Sequence, residues 1–119
     1  MAESIAVLLM KPPYGTEEGF AGARLALGGL VSGLVPKATV FLIGDGTLNA
    51  LEAQRPEAIG MPSNLAALQD LMDLEGEVYC VEEDLRHRVG DMAVMDGVKM
   101  VSWAEARDLI KQHQLVTTF

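Results

Sequence analysis

The chain reads as a three-layer α/β/α fold built on a mainly parallel sheet of about five strands. Three observations predict it: short apolar runs recur along the sequence, amphipathic helical segments separate them, and Gly, Pro or Asp marks the joints. Apolar runs too short for helices suit strands buried on both faces of a parallel sheet. Their alternation with helices implies crossover connections that keep neighbouring strands parallel. A length of 119 residues suits one hydrophobic core, so a single domain over 1–119 is expected.

Ile5 to Met10 is the first such run, stopped by Lys11-Pro12-Pro13-Tyr14-Gly15. Thr16 with Glu17 and Glu18 offers a capping oxygen and acids that suit a helix start. Phe20, Ala23, Leu27, Leu30, Val31 and Leu34 follow at helical spacing, predicting a helix that ends near Gly33. Its alanines and Gly22, Gly28 and Gly29 suit close packing on a sheet. Ala38 to Ile43 is the second strand, cut off by the turn Gly44-Asp45-Gly46. From Thr47 to Ser63, Pro56, Gly60 and Pro62 leave room for one short helix, Leu48 to Gln54, and then irregular chain with the character of a flap. Ser63 caps a further helix with Leu65, Leu68, Leu71, Met72 and Leu74 as its apolar stripe and Gly76 as its stop. Glu77 to Val81 is the third strand, and Glu82-Glu83-Asp84 opens a short helix through Leu85 and Val89 to Gly90. Met92 to Met95 reads as a further helical turn and Val98 to Val101 as the fourth strand. Ser102 and Glu105 have capping-box spacing for a last helix carrying Trp103, Ala106, Leu109 and Ile110. Leu115 to Phe119 is the fifth strand.

Composition narrows the function. Seventeen acidic against nine basic residues give a net charge of −8, which opposes the phosphate neutralisation behind nucleic-acid affinity. Aromatic residues, at 5 %, are too few for a base-stacking platform. No apolar run approaches the ~20 residues that cross a bilayer, and the acidic opening Met1-Ala2-Glu3-Ser4 lacks the features of a secretory signal. A cytoplasmic protein with no nucleic-acid or membrane partner is expected. One cysteine closes no internal disulfide, and two histidines offer no zinc spacing, so neither a metal nor an organic cofactor is expected.

In open α/β sheets, ligands gather outside the carboxyl ends of the strands, which directs attention to the loops after Met10, Ile43, Cys80 and Val101. Cys80 is the one strong nucleophile there. The amino end of the following helix and Arg86, His87 and Arg88 favour its thiolate, whereas Glu82, Glu83 and Asp84 oppose it. The competing reading is a buried core filler, common for free cysteine; to be open, Cys80 must be the last residue of its strand. Gly44-Asp45-Gly46 lacks the lysine and later glycines of a phosphate loop and is mainly a turn, with Asp45 able to flank Cys80. Lys11 and Tyr14 supply a cation and a hydroxyl at the same edge. His87 is a candidate base, while His113 reads as part of a helix carboxyl end. Met61, Met72, Met92, Met95 and Met100 suit an adaptable core or an interface.

Several features, taken in order, carry a family resemblance. They are an opening strand before a Gly/Ala-rich helix, Val40-Phe41-Leu42-Ile43-Gly44-Asp45-Gly46 with Asn49 soon after, and Val78-Tyr79-Cys80-Val81 followed by Leu85-Arg86. Over nearly its whole length the chain resembles the DsrE-like sulfur-relay family. The resemblance implies that Cys80 accepts a sulfane sulfur as a persulfide and hands it to a protein acceptor. For that role a substrate pocket shaped by Lys11, Tyr14 and Asp45 is expected, with Arg86 or Arg88 stabilising the anionic persulfide. The partners the resemblance implies are sulfur donor and acceptor proteins, in a homo-oligomer, trimer or hexamer, that uses no cofactor. Glu82-Glu83-Asp84 departs from the small neutral residues of sulfur-carrying subunits. The alternative is a non-catalytic oligomeric subunit in which Cys80 is packing and the Thr47 to Ser63 flap docks a partner or gates a ligand.

Overall fold

A computed structural model describes residues 3–13, 17–52, 54 and 63–119 of the chain. The elements run β1 (Ser4–Leu9), α1 (Glu17–Val31), β2 (Lys37–Leu42), a 3-10 helix (Gly44–Ala50), α2 (Asn64–Asp73), β3 (Glu77–Val81), α3 (Glu82–Val89), β4 (Lys99–Val101), α4 (Trp103–Ile110) and β5 (Leu115–Thr118). Among the described residues the five strands form one sheet of order β4-β3-β2-β1-β5, and every neighbouring pair is parallel. The expected α/β/α layering is therefore present. Thr16, proposed to cap α1, lies outside the described residues, as do Pro56, Gly60, Met61 and Pro62 of the expected flap.

Strand alternation divides the core in two. Val7, Leu9, Val40, Leu42, Val78 and Cys80 meet α1 through Ala23 and Ala26, α2 through Leu68 and Leu71, and α3 through Leu85. Ala6, Phe41, Ile43, Val81 and Val101 face the other way, onto Ala106, Leu109 and Ile110 of α4. Each fully buried leucine is worth about 1.5–3 kcal/mol, so these two clusters outweigh any single polar contact.

The helix ends follow local chemistry. The Ser63 hydroxyl accepts the Ala66 amide at 3.1 Å, and Ser102 and Glu105 form the expected capping box. The end of α2 differs from expectation. The residue with left-handed backbone is Glu75, at φ 69°, while the Gly76 amide donates to Leu71 O at 2.9 Å. Gly76 is needed for room instead: a Cβ there falls 2.6 Å from Leu71 Cγ.

Two further expectations are corrected. The short helix expected over Leu48 to Gln54 is a 3-10 helix that begins earlier, at Gly44. Thr47 Oγ1 donates to Gly44 O at 2.7 Å, and Asp84 from α3 accepts the Gly44 amide at 2.9 Å. These bonds let the Gly-Asp-Gly turn run straight into a tight helix. Met92 to Met95 is not a helical turn but extended chain, bridged antiparallel to the end of the 3-10 helix through Leu51 and Val94.

Candidate functional site at the carboxyl edge of the sheet

Three of the four expected loops converge at one edge of the sheet. The 3-10 helix is pressed against the end of β1 so closely that a Cβ on Gly46 would stand 1.8 Å from Leu9 O. Asn49, fully buried, donates through Nδ2 to Lys11 O at 3.0 Å and to Gly46 O at 2.9 Å. Asn64, at the start of α2, donates to Asn49 Oδ1 and to Pro13 O, both at 3.1 Å, and receives Arg24 Nη1 from α1 at 2.6 Å. The Arg24, Asn64 and Asn49 chain therefore fixes the loop after β1 against the corner after β2. Sequence reading missed it because Asn64 beside Ser63 looks like a helix start and Asn49 like a turn residue; fully buried asparagine reveals itself only in three dimensions.

Cys80 stands in register with Leu42 on β2 and Met100 on β4. The strand continues one residue further, through Val81, so the condition for an open thiol is not met. Cys80 is 0 % exposed and belongs to the core cluster under α1, α2 and α3. Burial pushes its pKa from 9.0 up to about 12; Arg86 pulls it down, and Asp84 and Glu82 push it up further. In this closed form the thiol holds its proton at neutral pH and is a poor nucleophile.

The other expected site residues have definite occupations. Lys11 is exposed and contributes its carbonyl, not its ammonium, to the network. Tyr14 lies outside the described residues. Asp45 pairs with Arg88 Nε at 2.8 Å. The Arg86 Nη1 atom donates to Gly90 O at 2.8 Å and to Met92 O at 3.2 Å, so this guanidinium is engaged with the chain beyond α3. His87 is exposed on α3, away from the buried thiol. His113 is structural, as expected, with Nδ1 on Leu109 O at 3.0 Å and Nε2 on Thr39 Oγ1 at 2.9 Å. The acids after Cys80 have separate duties. Asp84 holds Gly44, Glu82 lies 4.0 Å from Arg86, and Glu83 accepts the Trp103 amide at the start of α4.

Comparison with known proteins gives this edge its context. The DsrE/DsrF-like family model matches residues 3–119. The chain belongs to the DsrE/DsrF-like family. Membership supports a role of the sulfur-relay type in concert with partner proteins. The uncharacterized protein MK0008 of Methanopyrus kandleri is 27 % identical over 116 residues, 97 % of this chain and 93 % of that protein. The crystal structure of the ychN protein from E. coli superposes with a TM-score of 0.82 at 20 % identity, over 98 % of this chain and 99 % of that one, which shows a shared fold. Among the described residues no helix is long and apolar enough to cross a membrane, and no three His, Cys, Asp or Glu side chains gather to hold a metal ion.

Proposed function

We propose that the chain carries sulfane sulfur in a relay, with Cys80 as the carrying group in an opened form of the molecule. The observation that supports this is the chain's one thiol at the β3–α3 corner of a DsrE/DsrF-like chain, where Arg86 is the cation that favours its anion. In the forward step the Cys80 thiolate attacks the outer sulfur of a donor persulfide, R–S–SH. The new S–S bond gives Cys80–S–SH, and the donor's S–S bond breaks to release R–S⁻. An acceptor thiolate then takes the same outer sulfur and restores the Cys80 thiolate. No electrons are gained or lost, so neither metal nor organic cofactor is required. Arg88 and Asp45 flank the edge at which donor and acceptor would dock.

A second reading is favoured by one observation: Cys80 is fully buried with its proton held. In it the chain is a non-catalytic, oligomeric subunit of a relay complex. Val31 at 68 %, Leu34 at 64 % and Leu74 at 49 % exposure are apolar surface suited to a homo-oligomer, and the mass of the native assembly tests this. The two readings separate in one experiment. The native protein and Cys80→Ala are incubated with glutathione persulfide and weighed intact. One added sulfur, removable by reductant and confined to the native protein, supports the carrier. No addition during prolonged incubation supports the subunit.

A further inference from the structure

Between α3 and β4 runs a strap, residues 90–97, that packs Val94 and Met95 on the core cluster containing Cys80. Gly90 and Gly97 bound it at φ +64° and +93°, backbone that only glycine adopts freely. Hydrogen bonds among the described residues hold it down. Met95 N donates to Ala50 O at 2.8 Å and Glu52 N to Ala93 O at 3.1 Å, while Arg86 takes Gly90 O and Met92 O. Met95 is driven furthest inward, 5 % exposed within the core cluster of Cys80, and Val94 is half-buried against the same cluster, whereas Met92 is 44 % exposed. On the outer side of Met95 lies a cleft of about 400 Å³, walled by Glu52, Leu65, Gln69 and Asp96, so the strap's deepest side chain borders open space.

We propose that residues 90–97 are a gate over Cys80, hinged at Gly90 and Gly97 and latched by Met95, which must lift before a persulfide-bearing partner reaches the sulfur. The inference rests on the reading of Cys80 as the carrier. One thioether and a few strap bonds are a small fraction of what global unfolding breaks, so the gate opens locally. Arg86 then has two tasks: it ties the strap to α3 while shut, and it stands beside the thiolate once the strap has moved.

The test is the rate of Cys80 alkylation by iodoacetamide in the full chain, followed by mass at increasing urea. The wild-type rate should be slow and flat at low urea, rising only at the global transition. Met95→Ala should raise the flat rate about tenfold, beyond what its change in Tm accounts for. Leu51 and Val94 form a bridge of the kind flanked by hydrogen bonds, with Cα atoms about 4.5 Å apart, within disulfide range. Leu51→Cys with Val94→Cys, joined as a disulfide, should lower the rate at least tenfold, and reductant should restore it as read on the Cys80 peptide. Labelling that tracks only global unfolding in all variants, or a cross-link without effect, overturns the gate. Sulfur uptake from glutathione persulfide is measured alongside. Labelling that obeys the strap without sulfur uptake keeps the gate and removes the carrier, whereas uptake indifferent to the cross-link keeps the carrier and removes the gate.

Discussion

The side of the sheet that carries Cys80 is sealed by three helices and the strap, with Leu9, Leu42, Leu68, Leu71 and Leu85 all fully buried. The other side rests on α4 and on Phe41, whose ring stacks on Tyr79 at 5.3 Å. Its rim is polar: the Tyr79 hydroxyl donates to Glu77, and Lys99 reaches the same carboxylate at 3.1 Å. Cys80 and Tyr79 are consecutive residues of β3, yet they belong to these two different surroundings. Both acids are pushed up to about 12. For Cys80 the cause is burial, opposed by Arg86; for Tyr79 it is burial reinforced by its bond to Glu77 and the charge of that carboxylate. Equal end values thus conceal unequal chemistry, because the tyrosine is half-buried beside a polar rim and the thiol is shut away. What decides the reactivity of the thiol is access.

The contrast can be broken most strongly by Leu42→Ala, a fully buried site beside Cys80, which should cost about 2–5 kcal/mol by urea unfolding. Next comes Asn49→Ala, expected to cost about 1–3 kcal/mol because Lys11 O, Gly46 O and Asn64 Nδ2 each lose a buried partner. Its unfolding curve should also show the loop after β1 loosening before the sheet, by amide exchange.

High pH sharpens the comparison further. Both groups keep their protons in the folded chain at pH values where the unfolded chain has lost them. Their stabilising effect is complete below the ordinary values and fades as pH rises toward about 12. Stability should begin to fall near pH 9.0 through Cys80 and steepen from pH 10.0 through Tyr79. Cys80→Ala should remove the onset near pH 9.0, and Tyr79→Phe the steepening from pH 10.0.

On the acid limb the polar side contributes through Glu77. The Tyr79 hydroxyl first, then Lys99 and Lys37, hold the Glu77 carboxyl below 4.5 against burial. That contribution is present above pH 4.5 and lost as pH falls through the lowered value, so Glu77→Gln should flatten stability there. At neutral pH the smallest effect is expected from Tyr79→Phe, under about 1 kcal/mol, as for partly solvated polar pairs.

The strands and helices were legible because each is written locally: Val40 to Leu42 is apolar on both faces, and Ser102 meets Glu105 within one turn. What escaped depends on partners far along the chain. The 3-10 start at Gly44 is decided by Asp84, forty residues on, and the extended course of Met92 to Met95 by Ala50 and Glu52. The closure of Cys80 escaped for the same reason: alternation says which side the thiol faces, but not that Met95 lies in the core on that side. The meeting of Lys11, Asn49 and Asn64 likewise requires three loops to be brought together.

The register of β1 has a kinetic consequence. One edge of this strand pairs with β2, Ile5 opposite Ala38, and the other with β5, Ile5 opposite Leu115. The first ladder joins Ile5 to Ala38 over a short stretch of chain and can form early; the second joins Ile5 to Leu115, with the other three strands lying between them in sequence. Without β5, β1 is an edge strand, with Ile5 and Val7 beside unpaired backbone groups. Pairing with β5 thus gives β1 its second partner and leaves that edge of the sheet to a strand of only 4 residues.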